Sequence, residues 1–264
     1  MGIDSLMRIA TWNINGLRAR LDYIRHWLDA VQPDVVGFQE LKTPDDQFPH
    51  EAFKELGYKA VIHGQQRWNG VAVLAKQRRK LELLQAGLPG QEHMGARLIS
   101  AKVSGLTFIN VYCPNGKNLL HEDYSRKLDW FASLRQYLAD THKPSEKLVL
   151  VGDFNIVPSG IDSWNESVLH GNICHSDRER AQIKSLLDLG LYDLWRETRP
   201  DDAGHSWWDY RGGSFYKRQG LRIDLLLGTK PVLAKAKSVS LERRWRKKLE
   251  DLKPSDHCPI WADI

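Results

Sequence analysis

No run of 18 apolar residues occurs in the 264-residue chain, so no segment has the length to cross a bilayer as a helix. The N-terminus also lacks the apolar core of a secretory signal, and a cytoplasmic protein is expected. Cysteine is scarce: Cys113, Cys174 and Cys258 are odd in number, far apart and without CxxC spacing. That argues against a disulfide framework or a structural zinc site and suits a reducing compartment. Repeats, low-complexity stretches and Pro/Gly/Ser linkers are missing too. Residues 7–264 therefore read as one domain with one sizeable core. Residues 1–6 precede the first strand, which starts at Met7, and read as an alternative start or an appended remnant. A formal net charge of +5 and a pI near 9.0 fit a polyanionic partner without requiring one.

What the chain does have is a set of apolar runs that end in polar groups. The clearest is LVLVGDFN, Leu148 to Asn155. A short valine-rich run reads as a buried strand. Gly152 offers no side chain to block approach to Asp153. If the extended conformation continues, Asp153 and Asn155 face the same side. Taken alone, a strand followed by an Asx-type turn explains this segment equally well. Recurrence favours a site: IATW leads to Asn13, VVGFQ to Glu40, FINVY closes on Tyr112, and GLRI leads to Asp224 with LLL continuing that strand. Ser255, Asp256 and His257 likewise lead into a strand-like segment at Cys258–Trp261. Such ends of a rigid scaffold are where chemistry is displayed.

Apolar residues at helical spacing mark one helix through Leu17, Leu21, Ile24, Leu28 and Val31, stopping before Pro33. A second runs through Tyr124, Leu128, Phe131, Leu134 and Leu138, and a third starts near Asp177. Strands are expected around Met7–Trp12, Val35–Gln39, Ala60–His63, Val71–Ala75, Leu98–Val103, Phe108–Tyr112 and Leu148–Val151. The turn at Ser104 and Gly105 is too tight for anything but a hairpin, so the sheets must be antiparallel or mixed. An α/β sandwich of two sheets flanked by helices satisfies both patterns.

The blocks WNINGL (from Trp12), QELK (from Gln39), NVYCPNG (from Asn110), GDFN, SWWDYR (from Ser206), GLRID (from Gly220) and SDHCP (from Ser255) occur in an order that resembles the exonuclease III type of apurinic/apyrimidinic endonuclease. GDFN and SDH belong to the wider endonuclease/exonuclease/phosphatase superfamily, whereas YCPNG, SWWDYR and GLRID point to its DNA-repair branch. The resemblance covers nearly the whole chain from Met7. It implies a four-layered α/β sandwich, with two mixed β-sheets packed face to face, and a Mg²⁺-dependent phosphodiesterase in which Mn²⁺ is a plausible substitute.

Splitting a phosphodiester needs a nucleophilic water, charge neutralisation at the phosphoryl oxygens and a stabilised leaving oxygen. Because Mg²⁺ prefers oxygen ligands and keeps several waters, one or two carboxylates suffice. Glu40 is the principal metal candidate, with Asn13 in support and Asp256 contributing. His257 and Asp224 read as a histidine and its orienting carboxylate. Asp153 would orient or deprotonate the attacking water with Asn155 aligning it, and Tyr112 would bind phosphate or assist the leaving group. Whether Asp153 or His257 takes the proton stays open at this point.

Trp207, Trp208 and Tyr210, in a loop with Arg211, Lys217 and Arg218, form the aromatic and basic mixture expected where a protein wedges into a duplex. Because Trp207 and Trp208 point opposite ways on an extended segment, one of them is expected in the core. The resemblance places the pocket for an abasic deoxyribose here, with Leu221 and Ile223 on its wall. Asn115, Lys117 and Asn118, together with Arg67, Asn69 and Arg97, are candidate phosphate contacts. The run Arg243–Lys248 reads as either a DNA-facing loop or a solvated helical face.

Before the third helix the chain departs from the family pattern of an aromatic, Thr and Pro, carrying Cys174, His175, Ser176 and Asp177 instead. A bulky His175 there either hinders nicking at internal abasic sites in favour of trimming 3′ ends, or helps Ser176 cap the helix. The expected partner is duplex DNA with abasic sites or 3′ ends, acted on by a monomer. A phosphatase for small phosphoesters such as inositol phosphates, or a non-enzymatic nucleic-acid binder, are the competing classes.

Overall fold

The computed structural model describes residues 6–264, so the reading of residues 1–6 lies, Leu6 apart, outside the described residues. Among the described residues twelve strands form two six-stranded sheets. They are β1 (Arg8–Asn13), β2 (Val35–Gln39), β3 (Tyr58–His63), β4 (Val71–Lys76), β5 (Leu81–Ala86), β6 (Leu98–Val103), β7 (Leu106–Tyr112), β8 (Leu148–Asp153), β9 (Leu191–Asp193), β10 (Asp224–Thr229), β11 (Ser238–Leu241) and β12 (Ile260–Asp263). The first sheet has the order β11-β12-β1-β2-β4-β3 and the second β5-β6-β7-β8-β10-β9. Within each sheet one pair is parallel, β1 with β2 and β7 with β8, and the other pairs are antiparallel. The sheets are therefore mixed, as expected, and Ser104 and Gly105 turn the β6–β7 hairpin with positive φ.

Alternation along each strand divides the core into layers. Ile9, Val35, Val73, Phe108, Val149, Val151 and Leu226 meet between the sheets. Trp12 and Phe38, on the other face of the first sheet, pack with Trp27 of the Leu17–Val31 helix. Ile109 and Leu150, on the outer face of the second sheet, pack with Phe131 and Ile183 of the Glu122–Thr141 and Asp177–Leu187 helices. The result is the expected four-layered sandwich. Among the described residues no helix is long and apolar enough to cross a membrane.

A polar tie crosses the apolar interior. Asn110 Nδ2 donates to the carbonyls of Phe38 (2.8 Å) and Ala72 (3.0 Å) in the opposite sheet, and its Oδ1 accepts from Gln39 Nε2 at 2.5 Å. A Cβ on Gly37 would lie 2.6 Å from Asn110 Cγ, so this approach needs glycine.

Three expectations change. The β10 strand starts at Asp224 rather than passing through it from Gly220, because the Gly220–Ile223 backbone is bonded instead to the Ser206–Trp207 segment and to Asp162. β5, β9 and β11 carry short or largely exposed sequences and were not anticipated. The Arg243–Arg246 segment is neither an open loop nor a solvated helical face. It is a 3₁₀ turn that buries Trp245 and Arg246.

Candidate active site

Strand register assembles the centre. In the second sheet Tyr112, Asp153 and Asp224 are direct neighbours across β7, β8 and β10, at the same end of all three strands. Gly152 makes that arrangement possible: its φ is +142°, and a Cβ there would fall 1.9 Å from the Val111 carbonyl oxygen. In the first sheet Asn13 and Gln39 pair at the ends of β1 and β2, so Glu40 emerges at the same edge, with a left-handed φ of 54°. Ser255 Oγ donates to the Asn13 carbonyl and accepts from the His257 backbone N–H, while Trp12 Nε1 donates to the His257 carbonyl at 3.1 Å. The His257 backbone is thereby tied to the end of β1.

His257 Nδ1 donates to Asp224 Oδ2 at 2.8 Å, and its Nε2 stands 3.8 Å from Asp153 Oδ2. Burial opposes charging of the imidazole, but Asp224 and Asp153 overcome it and lift its pKa to about 10. Burial drives the Asp153 pKa up to about 7, with Asp224 and Glu40 adding and His257 and Asn13 opposing. The Tyr112 phenol is likewise pushed well above its ordinary range, first by burial and then by Glu40 and Asp153, so it stays a neutral donor. The Arg97 guanidinium lies 4.8 Å from the Tyr112 ring centroid.

Asn13 joins the halves: its Nδ2 donates to Glu40 Oε1 at 2.8 Å and to Asp153 Oδ2 at 2.9 Å. Its Oδ1 accepts from the Asn15 backbone N–H at 3.0 Å, so the side chain is held in place beside Glu40. Glu40 also pairs with Lys42 at 2.8 Å. Asp256, expected near the metal, has one oxygen bonded to Asn15 Nδ2 and the other to Trp207 Nε1, which ties it to both side chains. The ligand atoms of Asp153, Asp224 and His257 lie within 4.8 Å of one another. The carboxylates of Glu40 and Asp153, joined by the Asn13 amide, are oxygen donors of the kind a hard divalent cation takes, while His257, charged and bonded to Asp224, is not a ligand.

A model of the Endonuclease/Exonuclease/phosphatase family matches residues 10–257. The chain belongs to that family. Within the family it is 37% identical to the exodeoxyribonuclease III of Haemophilus influenzae over 98% of this chain and 100% of that protein. The structure of the 3′ phosphatase NExo from Neisseria, bound to a product DNA hairpin, superposes with a TM-score of 0.91 at 39% identity, covering 97% of this chain and 98% of that one. An AP endonuclease from Archaeoglobus fulgidus matches with a TM-score of 0.92 at 32% identity over 97% and 98% of the two chains. The chain is thus a member of the exonuclease III and AP endonuclease branch of this metal-dependent family, as its motif order implied.

The remaining expected residues differ in exposure and in partners. Asn155 does not continue the strand. Its φ is 51° and its N–H donates to Asp153 Oδ1, so the strand ends in an Asx turn. Its amide donates to the Cys113 carbonyl and accepts from Asn115, leaving one of its two N–H donors unused. Lys117 is exposed and paired with Asp123 at 2.7 Å, and Arg211 is exposed and paired with Asp209 at 3.0 Å. Trp207 is half-buried beside Leu221 and Ile223, which are themselves packed with Cys174. Trp208 lies in the core against Phe215, so of the two tryptophans it is the one removed from the surface. His175 is buried, its ring between Ser163 Oγ (3.0 Å) and the Ile173 carbonyl (3.1 Å), while Ser176 and Glu179 form the helix capping box without it.

Three side chains were given no role of their own by the sequence reading. Lys127, fully buried, donates to Glu179 (2.6 Å) and to the carbonyls of Asn155 (2.7 Å) and Asn115 (3.1 Å). Its signal was a lysine on the apolar face of the Tyr124–Leu138 helix. Ser206 Oγ accepts from the backbone N–H groups of Ile223 and Asp224 and so anchors the start of β10. Trp68 is 69% exposed between two residues of positive φ, Arg67 and Asn69.

Proposed function

We propose that this chain is a DNA-repair phosphodiesterase of exonuclease III type that uses Mg²⁺, with Mn²⁺ as a substitute. It removes 3′ blocking groups and nucleotides from duplex DNA and cleaves the backbone 5′ to abasic sites. The observation that carries the reading is the Asn13 amide, bonded at once to Glu40 and Asp153 beside the His257–Asp224 pair. The exodeoxyribonuclease and AP endonuclease relatives favour DNA over a small phosphoester and favour catalysis over mere binding.

Glu40, supported by Asn13, would hold the cation, which when bound supplies positive charge to the phosphoryl and leaving oxygens. His257, an imidazolium oriented by Asp224, presents Nε2–H to a phosphoryl oxygen. Asp153 takes the proton of the attacking water, its raised pKa making it the better base while His257 is already charged. Asn155 aligns that water with its free N–H. Tyr112 donates its phenolic hydrogen to the phosphate or the leaving oxygen. Trp207, Lys117, Asn115, Arg211 and Trp68 form the DNA-facing rim.

Trimming of 3′ ends is the dominant activity in this reading. What favours it is that Leu221 and Ile223, the wall expected to receive an internal abasic sugar, pack with Cys174 and against Trp207. His175 stiffens that wall through Ser163, which bridges to Leu221. Comparing cleavage of a duplex carrying an internal abasic site with one carrying a 3′-phosphate at a nick tests this. A preference for the 3′-phosphate is expected, and equal efficiencies would discard it.

A further inference from the structure

The basic run Arg243–Lys248 has no part in the site above, yet it is built into the fold. Arg246 is buried, its guanidinium 4.5 Å from the Tyr210 ring centroid and 5.4 Å from that of Phe215, with Nη2 donating to the Trp208 carbonyl at 3.4 Å. Its Nε has no hydrogen-bond partner, and among the described residues no carboxylate pairs with it. A buried cation is ordinarily paired. Arg246 instead lines a cavity of about 380 Å³ whose wall also carries Arg20, Lys247, Lys248 and Lys253. The one carboxylate on that wall, Asp209, is already bonded to Arg211. Tyr216, 87% exposed, stands at the mouth. The cavity is one short relay from the catalytic edge: Arg20 bonds Tyr210 Oη and the Asn15 carbonyl, and Asn15 bonds Asp256.

We propose that this cavity binds one nucleotide of the DNA strand flanking the scissile position, with Arg246 and Lys247 on its phosphate and Tyr216 stacking on its base. The proposal rests on the DNA reading above. A volume of about 380 Å³ exceeds what a phosphate alone would fill and suits a nucleotide. The combination of cations with an exposed aromatic face is that of a site which tracks a backbone while tolerating any base.

Fluorescence anisotropy in EDTA, with nicked 3′-phosphate duplexes whose flanks are lengthened one side at a time, tests it. Wild-type protein is expected to gain affinity when one particular flank reaches the cavity. Lys247→Ala combined with Lys253→Ala should abolish that gain and reduce the slope of log affinity against log salt by about 2. Tyr216→Ala, which removes a largely exposed ring whose ring contact is an edge contact with Phe215, should also lose the gain, with the salt slope nearly unchanged. Wild-type gain and slope in both variants would overturn the site while leaving the DNA reading standing. Wild-type protein that neither binds nor cleaves any of these duplexes would overturn that reading itself.

Discussion

Asp153 stands where three constraints meet: a glycine that lets β7 and β8 approach, an amide shared with Glu40, and an imidazolium less than one water diameter beyond hydrogen-bond reach. Replacing its carboxylate by an amide keeps the shape and removes the proton acceptor. Asp153→Asn should therefore lower turnover on a 3′-phosphate nick by roughly 10²–10⁴-fold. Duplex binding, followed by mobility shift, should persist. Preserved turnover would remove Asp153 from the role of base. Lys127 shows the converse case, an ammonium that touches no reacting group and still holds the Asn115 and Asn155 carbonyls in place. Its place on an apolar helix face was visible in the sequence, but its partners are 12, 28 and 52 residues away and only the fold brings them together.

Strand ends and the loops after them decide the geometry. Gly152→Ala puts a methyl group into the Val111 carbonyl at a φ that alanine resists. It should cost more than about 2 kcal/mol in urea unfolding, and activity should fall with it because Asp153 must shift. The segment leading into β10 is held by a buried ion cluster. Arg222 bonds Asp162 at 2.6 Å and Asp193 at 2.7 Å, and Arg196 also reaches Asp162. Burial alone would raise the Asp162 pKa, but its bonds to Arg222 prevail and hold it below the usual carboxylate value. A carboxyl depressed on folding contributes stability above its unfolded pKa of about 3.9 and loses it as pH falls through the folded value. Asp162→Asn should therefore cost about 3–5 kcal/mol near pH 7 and flatten the acid limb of a stability–pH curve. An unaltered limb would show that Asp162 does not carry it.

The molecule as a whole is a device for bringing two sheet edges together. The Asn110 tie fixes the sheets a few residues below Glu40, and Asn13 fixes them at the surface. Metal removal should separate fold from chemistry in such a design. Because the core of each sheet is apolar and the sheets are tied through Asn110, EDTA should abolish turnover while leaving the far-UV circular dichroism and most of the thermal stability. Mg²⁺ or Mn²⁺ should restore activity. Unfolding in EDTA would mean instead that the cation is structural.

Much of this was legible from one-dimensional pattern. Alternating and continuous apolar runs, ended by Asn13, Glu40, Tyr112 and Asp153, announced strands with polar ends, because side-chain direction in a strand depends only on parity and burial. Motif order marked the branch of the family. Other outcomes depended on contacts that no local spacing encodes. Asp256 turned to Trp207, His175 turned inward to Ser163, and Trp208 rather than Trp207 entered the core, each decided by which partner lay across the fold. The same is true of Arg246. In sequence it is one cation in a basic run, and only tertiary packing, by burying it between Tyr210 and Phe215 with no ion pair to a described carboxylate, left it beside a cavity. Local pattern sets what a segment forms, whereas burial and partnering are properties of the whole assembly.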